Sequence, residues 1–269
     1  MIHVLGANGM LGRYVYTYLV QNFNCHAVTR AQFDVVADLN NLDKLHISKN
    51  DVVVNCIGVI KPQIDKLSAV EVLTINSLFP KVLAKYCRSH SATLYHVTTD
   101  CIFDGKLGGY NEAYMTNAID LYGLSKYYGE SADCSIIRTS IIGEEVSNSR
   151  SLVEWLKKNK GQPITGFTNH LWNGITCLQF AKIIEKSIES HIVWSGVRHF
   201  HSNTVTKAEL VTLISQIYNL DLQITPKPAP TAKNMTLDSL FYLLLRSYKI
   251  PPIKQQIEEM YRYYDRLHL

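Results

Sequence analysis

One string constrains this chain more than any other: Val4-Leu-Gly6-Ala-Asn-Gly9-Met-Leu-Gly12. It follows an apolar run, Ile2-His-Val-Leu5, that reads as a buried strand. It opens a segment with Leu11, Val15, Tyr18 and Leu19 at helical spacing. Glycines at such a junction let the backbone turn tightly. They also let a pyrophosphate approach the first turn of the helix, where free N–H groups attract an anion. The spacing is Gly-x-x-Gly-x-x-Gly rather than Gly-x-Gly-x-x-Gly, but the strand before it is the context a dinucleotide loop requires. The competing reading is a plain strand-to-helix turn. Gly6, Asn8, Gly9, Met10, Leu11 and Gly12 are the candidate cofactor contacts.

The rest of the chain alternates in the same way. Strands are expected at His26–Thr29, Val52–Val54, Thr93–Val97 and Ser135–Arg138. Helices are expected from Asn76 to about Arg88 and over Leu121–Glu130. Nearly continuous apolar strands alternating with helices predict an α/β fold, a Rossmann-like doubly wound parallel sheet covered on both faces. From about Ser147 the pattern changes. Helices are expected over Ser151–Lys160, Cys177–Ser190 and Lys207–Asn219, with a strand at Arg198–His201. Gly161–Gly174 reads as a loop, and Pro226, Pro228 and Pro230 as an irregular connector. A final helix over Lys254–Leu267 is expected to bury Ile257, Met260, Tyr261 and Tyr264. The expected division is residues 1–145 as the dinucleotide-binding domain and 146–269 as a smaller, mainly substrate-binding α/β domain. The chain is expected to return to the first domain around 174–202.

Composition narrows the classes. The 269 residues are 46% hydrophobic and 19% charged, with net charge +4 and no basic run, so an anionic small ligand suits the chain better than a nucleic acid. The six cysteines form no Cys-x-x-Cys pair and no zinc spacing, which predicts free thiols, a reducing compartment and no metal. No signal-peptide pattern opens the chain, and Leu240-Phe-Tyr-Leu-Leu-Leu245 is too short to span a bilayer. The expectation is a cytoplasmic protein without membrane contact.

Two further features point to chemistry. The second strand ends in Thr29-Arg30, where a cofactor lacking a 2′-phosphate would meet an acidic residue. Arg30 can instead pair with a 2′-phosphate, so NADPH is expected over NADH. An exposed loop arginine is the alternative. Asp38-Leu39 is placed near the adenine. Tyr122 and Lys126 stand four apart in Leu121-Tyr-Gly-Leu-Ser-Lys126, on one face of a helix. An ammonium beside a phenol favours the phenolate and lowers a pKa that is otherwise about 10. Such a phenol would exchange protons near neutral pH.

The glycine loop, Thr98-Thr99-Asp100 and Tyr122-x-x-x-Lys126 together resemble the extended short-chain dehydrogenase/reductase family. Within it the chain is most similar to the dTDP-4-dehydrorhamnose reductase group of nucleotide-sugar reductases. Val97-Thr-Thr-Asp-Cys-Ile-Phe-Asp-Gly105 is similar to that group's Ser-Thr-Asp-Tyr-Val-Phe-Asp-Gly. Val52-Val-Val-Asn-Cys56, Ile75-Asn76, Tyr110-Asn-Glu112 and Ile137-Arg-Thr-Ser140 also fit. The likeness is dense over the first 145 residues and loose afterwards.

This resemblance implies a triad of Thr99, Tyr122 and Lys126 that reduces a sugar C4 ketone with NADPH. Tyr122 would give the proton, Thr99 would bond the same oxygen, and Lys126 would tune Tyr122 and hold the nicotinamide ribose. Cys56, Ile57 and Gly58 would also contact the cofactor. The implied substrate is a UDP- or dTDP-linked 4-keto-6-deoxyhexose, with an acetamido group at C2 as one option. Cys101 stands where simple reductases carry tyrosine. A Cys there resembles bifunctional epimerase/reductases, in which it is an acid/base for epimerisation at C3 or C5. A packing residue is the alternative of equal weight. The second acid/base of GDP-fucose synthases has no histidine here, since Arg150 occupies the comparable place. His170 is the substitute candidate. The 4,6-dehydratases carry Glu where Cys101 stands, so that activity is not expected. Asp100 is a candidate to face the sugar, as are Asn169, Trp172 and Asn173 of the loop Gly166–Asn173, for which a domain-packing role is the alternative of equal weight; Arg150 is a candidate to pair with a diphosphate or cap the adjoining helix. A homodimer is compatible with the resemblance. A rival reading is a binding subunit, because the regulatory subunit of methionine adenosyltransferase resembles the same reductases and keeps a dinucleotide site.

Overall fold

The computed structural model describes residues 1–146 and 151–268. Five strands, β1 (Ile2–Leu5), β2 (Cys25–Val28), β3 (Val52–Asn55), β4 (Thr93–Thr99) and β5 (Ser135–Thr139), form a parallel sheet with the strand Gly196–His199. The order across the sheet is Gly196–His199, β5, β4, β3, β1, β2. The order reverses at β1, so a crevice opens between the carboxyl ends of β1 and β3. That switch point is where sheets of this kind bind ligands.

The strands are apolar on both faces because both faces are covered. On one side lie helix α1 (Met10–Leu19), the helix Cys177–Glu189 and the helix Ile253–Tyr263. There Val4, Tyr14, Val97, Phe180, Ile257 and Met260 share one core. On the other side Leu5, Val53, Leu94 and Ile136 pack against Phe79 and Leu83 of the helix Phe79–Ser89. That helix is entered through one turn of π-helix, Thr74–Leu78.

After residue 151 three elements differ from expectation. Gly161–Gly174 is not a loop but holds two strands, Pro163–Phe167 and His170–Trp172. The Pro226 region is a strand, Gln223–Lys227, parallel to Pro163–Phe167. It forms the edge of a two-stranded pair, where a residue without an N–H is tolerated. The last helix buries Ile253, Gln256, Ile257, Met260 and Tyr263 rather than Tyr261, which is 43% exposed. The buried positions follow the i, i+3, i+4, i+7 stripe set by Ile253, which the expected start at Lys254 omitted. No helix among the described residues is long and apolar enough to cross a membrane.

Candidate active site

The glycine loop turns at Gly6, whose φ of +76° lies in the left-handed region that favours glycine. A Cβ on Gly12 would lie 2.1 Å from the Gly6 carbonyl oxygen, so helix and loop touch backbone to backbone. Gly9 caps α1 with no side chain over the helix end. The first turn therefore presents N–H groups to the crevice.

A cleft of about 450 Å³ runs from this loop toward β2, lined by Gly6, Asn8, Gly9, Arg30, Cys56, Ile57 and Gly58. Phe33, Asp34 and Val35 also line it. Asp38 and Leu39, expected near the adenine, are elsewhere. Asp38 Oδ1 binds Lys44 Nζ at 2.5 Å and Leu39 packs against the second core. The chain turns into a short helix at Asp34, whose carboxylate accepts the Val36 and Ala37 N–H groups, so Phe33 to Val35 reach the cleft first. Asp34 also takes Arg30 Nε at 2.7 Å and holds the mostly exposed arginine at the rim. The signal was present as an Arg and an Asp four apart.

The crevice continues past Gly9, Met10 and Leu11 into a second cleft lined by Thr99, Asp100, Cys101, Tyr122, Lys126 and Ser140. The Thr99 hydroxyl accepts the Cys101 backbone N–H at 3.1 Å, donates to Asp100 Oδ1 at 3.1 Å, and meets the Tyr122 hydroxyl. The helix Leu121–Tyr128 is capped by Asp120, which accepts the Gly123 N–H at 2.8 Å. A Cβ on Gly123 would lie 2.4 Å from the Cys101 carbonyl oxygen. Glycine thus lets this helix press Tyr122 against the end of β4. Lys126 is 6% exposed, and its Nζ fills the space a Cβ on Gly58 would take.

Asn76 was noted in the sequence as a helix start and as part of a matching string, not as a site residue. It ties the two sides together: Oδ1 accepts the Val59 N–H at 2.8 Å, and Nδ2 donates to Val59 O at 3.1 Å and Ser125 Oγ at 3.0 Å. Lys61 and Lys233 were not anticipated at all, yet both their charges act on Cys101. Lys61 lines the cleft and pairs with Asp120 at 2.5 Å.

The expected tuning of Tyr122 by Lys126 is not what the geometry gives. Burial, then the charges of Cys101 and Asp100, push the phenol above its ordinary value; only the Thr99 hydrogen bond opposes them. Burial likewise draws Lys126 down to about 8. The low dielectric penalises phenolate and ammonium alike, and helical spacing alone did not reveal that depth. Burial and the Asp100 charge hold the Cys101 thiol up at about 12. Burial also raises Asp100 itself, against its hydrogen bonds to Thr99 and Ser140.

The candidates from the second half lie apart from this cleft. Asn169 exchanges both amide hydrogen bonds with the Ala229 backbone, at 2.9 and 2.8 Å. Asn173 does the same with Leu237. His170 Nε2 is 3.1 Å from the Thr231 carbonyl oxygen, and Trp172 packs on the first core. These groups hold the small sheet of His170–Trp172 with Val205–Thr206 and Lys233–Asn234. Arg150 lies outside the described residues. Among the described residues no cluster of His, Cys, Asp or Glu could hold a metal.

The fold and the cleft define a doubly wound α/β protein of the short-chain dehydrogenase/reductase kind, with a glycine loop and a Thr/Tyr/Lys cluster at one switch point. Residues 1–265 match the family described as RmlD substrate binding domain, and the chain belongs to it. Among curated relatives, methionine adenosyltransferase 2 subunit beta of Bos taurus is 27% identical over 81% of this chain and 72% of its own length. The dTDP-4-dehydrorhamnose reductase of Aggregatibacter actinomycetemcomitans is 28% identical over 73% and 71%. A crystal structure of dTDP-4-dehydrorhamnose reductase from Bacillus anthracis in complex with NADP superposes with a TM-score of 0.79 over 97% of this chain and 98% of that one, at 19% identity. At that identity the likeness speaks for the fold.

Proposed function

We propose that this chain is an NADPH-dependent reductase of the C4 ketone of a nucleotide-linked 4-keto-6-deoxyhexose. One observation carries the reading: Thr99, Tyr122 and Lys126 line a single cleft that continues into the glycine-loop cleft. The site fits a dinucleotide. Gly6, Gly9 and the uncapped start of α1 make an anion cradle, and Arg30 at the rim offers a guanidinium to a 2′-phosphate. NADPH supplies a hydride when bound.

The chain's own groups do the rest. Tyr122 gives its phenolic proton to the oxygen that gains charge as the ketone is reduced. Its raised pKa keeps that proton in place until the oxygen demands it. Thr99 lines the same cleft as Tyr122, and its hydroxyl can bond the same oxygen. Lys126 lies beside Gly58 at the wall shared by both clefts, where an ammonium can hold a ribose hydroxyl.

The reading extends to epimerisation before reduction. Protons on C3 and C5 are acidified by the C4 ketone, and Cys101 lies within the cleft to exchange them. The Lys61 and Lys233 charges favour its thiolate against burial and Asp100. Segment 146–269 would supply the substrate side, with the nucleotide UDP or dTDP. Turnover of a dTDP- or UDP-4-keto-6-deoxyhexose with NADPH by the purified chain tests the reading. The likeness to methionine adenosyltransferase 2 subunit beta supports a second one, a cofactor-holding subunit of a partner enzyme. No turnover of any ketosugar, with NADPH bound and a partner copurifying, would decide for it.

A further inference from the structure

His96 sits within β4 with its ring turned toward the layer that holds Lys126. Alternation along the strand fixes this direction. Tyr95 and Val97 belong to the first core and Leu94 to the second, while the Thr98 hydroxyl reaches Glu130 just beyond the Tyr122 helix. His96 is 1% exposed.

Its neighbours set its tautomer. Asn55 Oδ1 accepts the Ile57 N–H at 3.0 Å, which leaves the Asn55 amide nitrogen to donate to His96 Nδ1 at 3.1 Å. A neutral ring that accepts at Nδ1 carries its proton on Nε2. Burial and the nearby Lys126 charge keep the ring neutral, with its pKa drawn down to about 3. That Nε2–H has no partner among the described residues.

The His96 Nε2–H and the Lys126 ammonium, whose charge acts on the ring, are thus two buried donors on one side of β4 in a region of low dielectric. A bare buried donor costs about 1–3 kcal/mol, and such groups are normally satisfied by an ordered water when protein offers no acceptor. We propose that His96 positions Lys126 through a buried water whose oxygen accepts from both the His96 Nε2–H and the Lys126 ammonium. The shared oxygen solvates the ammonium less fully than a free water would, so His96 makes Lys126 easier to deprotonate. The other ionisable groups facing Lys126 are Cys56 at the end of β3, Glu130 beyond the helix and Tyr122 one turn earlier. Cys56 and Glu130 both favour the charged lysine.

The inference rests on the proposed function only for its effect on turnover, so its test uses neither substrate nor cofactor. Competitive acetylation with acetic anhydride, read on the Lys126 peptide by mass spectrometry from about pH 6 to 10, gives the protonation midpoint of Lys126 directly. His96→Asn keeps an acceptor for Asn55 and loses the Nε2 donor; His96→Gln keeps a donor there and gives up the acceptor. The expected result is an upward shift of roughly one pH unit in His96→Asn and little change in His96→Gln. An unshifted midpoint in His96→Asn, or equal shifts in both variants, overturns the proposal. If either variant fails to fold, a high-resolution crystal structure of the unaltered chain decides. A water within hydrogen-bond distance of both nitrogens upholds the proposal, and its absence overturns it.

Discussion

The backbone N–H of Cys101 donates to the Thr99 hydroxyl at 3.1 Å. The side chain that ends β4 thus caps the turn carrying the thiol, and places hydroxyl, thiol and the Tyr122 phenol around one point. Replacing Thr99 by Val removes both the cap and the partner of Tyr122. Ketone reduction is expected to fall on the order of a hundredfold in kcat, while Thr99→Ser stays within a few fold. Steady-state rates for the two variants check this.

Tyr122→Phe should reduce turnover by about a hundred- to ten-thousand-fold with NADPH affinity kept. Fluorescence titration of NADPH beside the rate assay separates the two effects. Full turnover by this variant would sink the assignment of Tyr122 as proton donor.

Lys126 costs the fold stability. Its folded pKa, about 8, lies below the ordinary 10.5, so between these values the unfolded chain binds more protons and stability rises with pH. Below about pH 8 the full penalty is present. Lys126→Met is therefore expected to be more stable by about 1–3 kcal/mol at pH 7 and to lose that advantage above the ordinary lysine pKa. Thermal melts across this range give the sign. A variant less stable at neutral pH would contradict the buried-ammonium account.

Cys101 is held protonated, up at about 12, so any exchange it catalyses should accelerate as pH rises through the neutral range. Deuterium entry at C3 or C5 of the ketosugar in heavy water, without a usable hydride donor, reads this. Cys101→Ala should abolish entry, and Lys61→Ala should slow it by removing a charge that favours thiolate. Normal entry in Cys101→Ala would leave the thiol a packing role.

Arg30 is paired to Asp34 at 2.7 Å with its side chain 82% exposed. Arg30→Ala should weaken NADPH by about tenfold and leave NADH unchanged. Equal affinities in the unaltered chain would remove the 2′-phosphate argument.

How much was legible in the sequence depended on the range of the interaction. The glycine loop, the apolar strands and the Tyr122–Lys126 spacing are local patterns, and each lies where the chain order placed it. Asp34 lay four residues from Arg30 and was still passed over, because a helix starting at Val35 had to be seen before Asp38 could be dismissed. Asn169, His170 and Asn173 looked like loop residues free to meet a ligand. Strand pairing with distant segments uses their polar atoms on the backbone of Ala229, Thr231 and Leu237.

Sequence by itself determined the parallel α/β architecture, because glycine conformation and hydrophobic period are properties of neighbouring residues. It also determined which residue types stand at the end of β4 and on the helix after it. Only the tertiary structure decided how deep Tyr122, Lys126 and Cys101 lie. Depth is set by elements scattered across the chain, and through desolvation it moves their protons further than any neighbour in sequence does. It likewise brought His96 and Lys61 to a site that no spacing announced.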